Sequence, residues 1–310
     1  MIGIAQLASY IPEGFESNFD KKTRFGIDDA FIRDKLGIDR VSRMAAGDEP
    51  SDLCVRAFRA LQQKCQADIG KVDCLVVCTQ NPDGNGIPHT SAVVHGKLAA
   101  QDACAAFDIG LGCSGYVSAL SIVTAFMAAN GLKNGLLFTA DPYSRIIDPS
   151  DKNTVLLFGD GATVTLLQPV GAGAQWVPTK FLFGTRGAQG DAINNRSGQL
   201  QMNGRAVFNF SATIVPTQIR ALLEGENLTV DKVDRFLLHQ GSKFIIDTLA
   251  ARLGLPPEKV PNNLAAHGNT VSSSIPLLLE QVVSDAGIQT LVLSGFGVGL
   301  SWASAVLKRA

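Results

Sequence analysis

KVDCLVVCTQNP, residues 71–82, returns later in the chain as KVDRFLLHQGS, residues 232–242. In both, Lys-Val-Asp leads into a short apolar run that closes on polar residues. A run of this length without strict alternation predicts a strand covered on both faces, as in a sheet flanked by helices. Helical patterns precede the two copies, SDLCVRAFRALQQKCQADIG (51–70) and FSATIVPTQIRALLEGENLTV (210–230). The echo continues downstream. CSGYVSALSIVTAFMAANG (113–131) and GNTVSSSIPLLLEQVVSDAG (268–287) each set a glycine-containing turn before a helix. Those helices feed the strands LLFTAD (136–141) and LVLSGFG (291–297), and a strand rich in small residues ends each half, GATVTLLQ (161–168) and SWASAVLK (301–308). The same elements in the same order predict two related α/β halves, 1–170 and 171–310, meeting near PVGAGAQW (169–176).

Composition narrows the function. The chain has 310 residues, 46% of them hydrophobic and 18% charged, enough to bury a sizeable core. A formal charge of -1 argues against nucleic acid or an anionic membrane as a partner, since both select for basic surfaces. No apolar run approaches the ~18 residues of a membrane span. MIGIAQLASYIPEG (1–14) reads as a first strand and turn rather than a signal peptide, so a cytoplasmic protein is expected. The six cysteines all lie in the first half, and a large core-rich chain without a leader does not call for a disulfide framework. Cys74 and Cys78 would share one strand face. Zinc needs four ligands, and no second pair follows, so core packing is the better account and no metal is expected.

Three residues could carry chemistry. Cys113 stands between two glycines in DIGLGCSGYVSAL (108–120), at a turn into a helix, where unpaired N–H groups and the helix dipole would lower its thiol pKa. Gly112 and Gly115 would let a substrate chain come close. By itself, a cysteine in so apolar a context reads more readily as a packed core thiol than as a nucleophile. His239 ends the strand RFLLH before Gln240-Gly241-Ser242, a position that can aim an imidazole into a cleft or leave it capped at the surface. Asn269 lies in AAHGNTVSSSIP, where asparagine is also a common capping residue; His267 and His89 are rival histidines. The repeat puts Cys113 and Asn269 at equivalent turns, which could converge on one site. Cysteine, imidazole and carboxamide together suit thioester chemistry: one nucleophile and two neutral donors for an oxyanion. The polar, glycine-rich segment 184–204 is expected to be a long loop forming a functional rim.

With these residues in view, the chain resembles the β-ketoacyl-[acyl-carrier-protein] synthase III family of thiolase-fold condensing enzymes. CSG, FGDGA (158–162), HQGS, HGNTVSSSIP and GFGVGLSWAS (295–304) match family blocks in order, as do KLGIDR (35–40) and DPSDKNT (148–154). The resemblance spans almost the whole chain. It implies a five-layer α/β/α/β/α fold from two pseudo-repeated halves, a homodimer, acyl-CoA and malonyl-acyl-carrier protein as partners, and no cofactor. It makes Cys113 the acylated nucleophile and His239 and Asn269 the donors to the malonyl thioester oxygen. Backbone N–H groups of Cys113 and Val298 would form a second oxyanion hole, and Phe296 would press on the departing carboxylate.

Departures from the family pattern carry further expectations. The tryptophan and arginine that sandwich adenine are matched by Phe31 and Lys152, and Lys35, Gly204, Arg205, Gly241 and Ser242 complete the expected coenzyme A contacts. Basic positions associated with carrier docking are Asn209, Phe244 and Ala251, with Lys243, Arg252 and Arg205 nearby. Ile87 replaces a bulky aromatic that the partner subunit contributes to the acyl pocket, which implies a primer longer than acetyl. Other readings are an acyltransferase of specialised metabolism with a different acceptor, a non-catalytic subunit of a heteromeric synthase, and, remotely, a papain-like hydrolase.

Overall fold

A computed structural model describes residues 1–310. The first half contributes strands β1 (Ile2–Tyr10), β2 (Cys74–Cys78), β3 (Ala105–Ile109), β4 (Gly135–Ala140) and β5 (Ala162–Pro169). The second contributes β6 (Trp176–Thr185), β7 (Arg235–Leu238), β8 (Thr290–Gly297) and β9 (Ser301–Arg309). Their spatial order is β7-β8-β9-β6-β1-β5-β4-β2-β3. From the outer edge inward, the first half runs third, second, fourth, fifth, first; the second half repeats this without a third strand. Strand directions repeat too. β2 is parallel to β4, β4 antiparallel to β5, and β5 antiparallel to β1; β7, β8, β9 and β6 stand in the same relations. The two sheets join through a single pairing of β1 with β6, Ile4 opposite Trp176.

Helices α1 (Pro50–Cys65) and α2 (Thr90–Leu98) cover the outer face of the first sheet. On the second sheet that place belongs to α4 (Gly204–Gly225), against which α5 (Lys243–Leu253) packs. Between the sheets lie α3 (Gly115–Asn130) and α6 (Ser274–Val282), each touching strands of both halves. The result is the five-layer thiolase-like arrangement. Position explains sequence here. GYVSALSIVTAFMAAN is apolar around most of its circumference because α3 has a sheet on either side. α1 has a polar outer face, starts with Pro50, and is closed by a capping box between Glu49 and Asp52. Cys74 and Cys78 are buried together on β2 within the core between the sheets, as free thiols. No helix is long and apolar enough to cross a membrane.

Segment 184–204 departs from the expected irregular loop. A 3-10 helix, Gly187–Ala192, is followed by a hairpin in which Ile193 pairs with Met202 and Asn194 with Gln201. The turn between them uses Gly198 at φ 84°, a value that favours glycine. Ile193 is buried, and its apolar side chain draws the hairpin onto the protein.

Candidate active site

Cys113 lies in the turn joining β3 to α3, closed by the Gly115 N–H donating to the Gly112 carbonyl at 2.7 Å. Ser114, the N-cap of α3, ties the turn to β9 through Ser301, with 2.7 Å between hydroxyls. β8 passes so close that only glycine fits. A Cβ on Gly297 would stand 2.7 Å from Cys113 Cβ and 2.8 Å from its Sγ. The glycines beside the cysteine do other work than expected. A Cβ on Gly112 would meet Gln80 Oε1 at 2.4 Å, and one on Gly115 would meet Cys78 Sγ at 2.6 Å. They admit protein atoms rather than a substrate chain. The thiol pKa also runs against expectation, since burial pushes it up to about 12. The N–H groups of Val298 and of Cys113 itself act in the opposite direction but are outweighed. In the free protein Cys113 is a protonated thiol.

His239 directly follows β7 and is 3% exposed. Its Nδ1 lies 2.7 Å from Ser274 Oγ at the start of α6. That hydroxyl also accepts the Gln240 N–H at 3.5 Å, so its own proton is free to point at Nδ1. With the Ser274 hydroxyl donating, Nδ1 accepts and Nε2 carries the ring proton. Burial drives the imidazole pKa down to about 3, so the ring is neutral at working pH. Phe296 meets it edge-on, with centroids 5.6 Å apart.

Asn269 is held on three sides. Its N–H donates to the Leu157 carbonyl at 2.9 Å, and its own carbonyl accepts the Gly159 N–H at 3.0 Å, a parallel bridge to the FGDGA segment. Its Oδ1 accepts the Val271 N–H at 2.9 Å, so the side chain organises the turn ahead of α6 and leaves Nδ2 as its free donor.

Cys113, His239, Asn269 and Phe296 all line one cavity of about 1000 Å³. Gly297, Leu157 and Phe158 complete the buried end, and Ile193 and Met202 of the hairpin form part of a wall. At the mouth are Phe31, Lys35, Lys152, Gly204, Arg205 and Ser242, while the buried Gly241 lines the wall beside His239. The Lys35 and Lys152 ammonium groups approach the Phe31 ring, 5.3 and 5.0 Å from its centroid. Ser242 caps α5, its hydroxyl accepting the Ile245 N–H. Two residues lie outside this lining. Val298 offers only its backbone near the sulfur, and Ile87 is 93% exposed on the surface of its own chain.

Residues that sequence reasoning missed support these groups. Ser274 is the third of a run of three serines, and only its place at the head of a helix could have singled it out. Asp141, fully buried after β4, accepts the Gln80 N–H at 2.6 Å and the Thr79 hydroxyl at 3.2 Å. Tyr143 donates to Gln80 Oε1 at 2.9 Å and packs on Phe158.

Five layers built from two like halves, with cysteine, neutral imidazole and carboxamide facing one cavity, define a thiolase-fold acyl-transferring enzyme. Family comparison agrees: the model described as 3-oxoacyl-[acyl-carrier-protein (ACP)] synthase III matches residues 107–186, and its C-terminal counterpart matches 223–309. The β-ketoacyl-[acyl-carrier-protein] synthase III of Streptococcus suis is 36% identical, and that of Lactococcus lactis subsp. lactis 33% identical, each over 98% of both chains. The crystal structure of the Thermus thermophilus synthase III matches with a TM-score of 0.90 at 32% identity, covering 99% of this chain and 98% of its own. The chain belongs to the β-ketoacyl-[acyl-carrier-protein] synthase III family.

Proposed function

We propose that this chain performs a decarboxylative Claisen condensation that initiates fatty-acid synthesis, with residues 1–170 supplying the nucleophile and 171–310 the two donors. Cys113 Sγ attacks the carbonyl of an acyl-CoA; the carbon–sulfur bond to coenzyme A breaks, and the proton lost from Cys113 ends on the released thiol. A malonyl thioester on acyl carrier protein then enters. Its thioester oxygen accepts from His239 Nε2–H and Asn269 Nδ2–H while the carbon–carboxylate bond breaks and carbon dioxide leaves. The electrons of that bond become the enolate, whose carbon attacks the acyl-Cys113 carbonyl. The Cys113 sulfur departs and regains a proton from solvent. The two thioesters, one cysteine and protons balance every step, so the reaction calls for no cofactor.

One observation carries this reading: two neutral donors, each anchored at its other polar atom by Ser274 or Val271, face the cavity that holds the cysteine. Such donors need no reorganisation as negative charge grows on an oxygen. The apolar face of Phe296 beside them favours loss of a charged carboxylate as a neutral gas.

The same reading makes the protein a cytoplasmic homodimer. β3 ends the sheet with an unpaired edge, and Ile122 on the neighbouring α3 leaves 45% of its surface exposed. An open apolar edge of this kind invites pairing with a second copy. Ile87, so exposed on its own chain, would then reach the partner's acyl pocket, its small side chain leaving room for a primer longer than acetyl. The test is intact-mass detection of acyl adducts with acetyl- and octanoyl-CoA, followed by carbon dioxide release on adding malonyl-carrier protein. Adducts should form on the native chain, favour octanoyl and vanish in Cys113→Ala. An unacylated cysteine rejects the mechanism, and a strong acetyl preference rejects the primer assignment.

A further inference from the structure

Burying a carboxyl group is costly, and Asp141, with none of its surface exposed, performs no step of the condensation. What it touches gives it a role. From the end of β4 it accepts the Gln80 N–H at 2.6 Å and the Thr79 hydroxyl at 3.2 Å, both just past the end of β2. These two residues seat the Cys113 turn. The Thr79 N–H donates to the Ile109 carbonyl at 3.0 Å, where β3 runs into that turn. The Gln80 side chain fills the space that a Cβ on Gly112 would need, and Tyr143 holds its oxygen at 2.9 Å.

The same carboxyl meets the second half of the chain. Burial raises the Asp141 pKa, and the hydroxyl and N–H of Ser272 act against that rise. Asp141 Oδ2 and the Ser272 hydroxyl are sealed from solvent with no other hydrogen-bond partner. Ser272 lies in the 3-10 helix Val271–Ser273, whose first N–H is the one that Asn269 Oδ1 accepts. Ser273 keeps this helix against β4, its hydroxyl 2.8 Å from that of Thr139. One buried side chain therefore ties the seat of the nucleophile to the turn that aims the carboxamide.

We propose that Asp141 is a positioning residue that sets the spacing between acyl-Cys113 and the Asn269 carboxamide, and so couples decarboxylation to carbon–carbon bond formation. The proposal rests on the condensation reading. The enolate forms where Asn269 holds the thioester oxygen, but it condenses only if its carbon lies in line with the acyl carbonyl on Cys113. With the clamp loosened, the carbon–carboxylate bond still breaks. The enolate carbon then takes a proton from water, and carbon dioxide and acetyl-carrier protein leave while Cys113 stays acylated.

The test counts carbon dioxide and 3-oxoacyl product separately, with acetyl- or octanoyl-CoA as primer and malonyl-carrier protein as extender. The native chain should give one product for each carbon dioxide. In Asp141→Ala, product formation should slow roughly 10–100-fold with KM retained, and product per carbon dioxide should fall to about half or less, the rest appearing as acetyl-carrier protein. A residue that only stabilised the fold would lower both counts together below the melting temperature and leave their ratio at one. Asp141→Asn keeps an acceptor of the same shape for Gln80 and Thr79 and should restore the coupling. Should Asp141→Ala not fold, Thr79→Val and Ser272→Ala, each cutting one side of the clamp, take its place and should lower the ratio by smaller amounts. A ratio that stays at one in these variants, or an Asp141→Asn chain as uncoupled as Asp141→Ala, overturns the clamp while leaving the condensation standing. Absence of carbon dioxide release by the acylated native chain overturns the condensation reading itself.

Discussion

His239 and Asp141 are both buried, and burial acts on them with opposite signs. The His239 pKa falls to about 3, so folding favours its neutral form. That contribution to stability is whole above about pH 6.5 and is lost progressively as pH falls toward 3. Asp141 is pushed up to about 6; its contribution is whole below the ordinary carboxylate range and is lost as pH rises through 6. Between about pH 4 and 6 the two trends oppose each other, so the wild-type curve alone conceals both. Chemical denaturation across pH 4–8 should separate them: His239→Asn should lose less stability than wild type on acidification, and Asp141→Asn less on going from pH 4 to 7. Parallel curves for all three proteins would contradict these assignments. Cys113, His239 and Asn269 were singled out by the repeat and the family resemblance, since their turns and strand end by themselves fit core packing or capping. The state of the thiol was not legible. The helix terminus that favours a thiolate can be read from DIGLGCSGY, but the wall of β8 that desolvates the sulfur comes from a segment near the other end of the chain.

Among the elements, the central helix α3 was the most legible, because an apolar sequence all round needs cover all round, and only the middle layer supplies it. The hairpin at 193–202 was the least legible, since polar residues hide an inward Ile193–Met202 pair of only two residues a side. Helix α3 heads directly out of the turn carrying Cys113, and α6 follows Asn269 through a short 3-10 helix, Val271–Ser273, so the seating of both bears on the spacing of those residues. Leu278 on α6 and Leu53 on α1 are both fully buried. Changing either to alanine should cost about 2–5 kcal/mol. On the proposed mechanism, only Leu278→Ala should also lower kcat, because it alone loosens a helix that would position a donor. Denaturation midpoints and single-turnover rates, measured below the melting temperature of the weaker variant, decide this. Equal kcat values in the two variants would mean that the middle layer has no special hold on the site.

At the scale of the whole molecule, the repeat was readable from the order of its elements, and topology repeats it strand for strand except for one missing edge. What no local pattern announced is how little backbone joins the halves. Ile4 and Trp176 form the only strand pairing across the seam, and the covalent link is the short segment 170–175, most of it exposed, with glycines at φ 86° and 147°. Cohesion between the halves therefore resides in the packing around α3 and α6, in a second shared core that joins Tyr143 and Phe158 to Phe210 and Leu238, and in backbone bonds such as the Asn269 bridge, not in the connection itself. The polypeptide could be severed at that segment without being taken apart. Two fragments produced together should find one another and assemble into a working enzyme, whereas either one alone would hold half a reaction centre and an uncovered oily face.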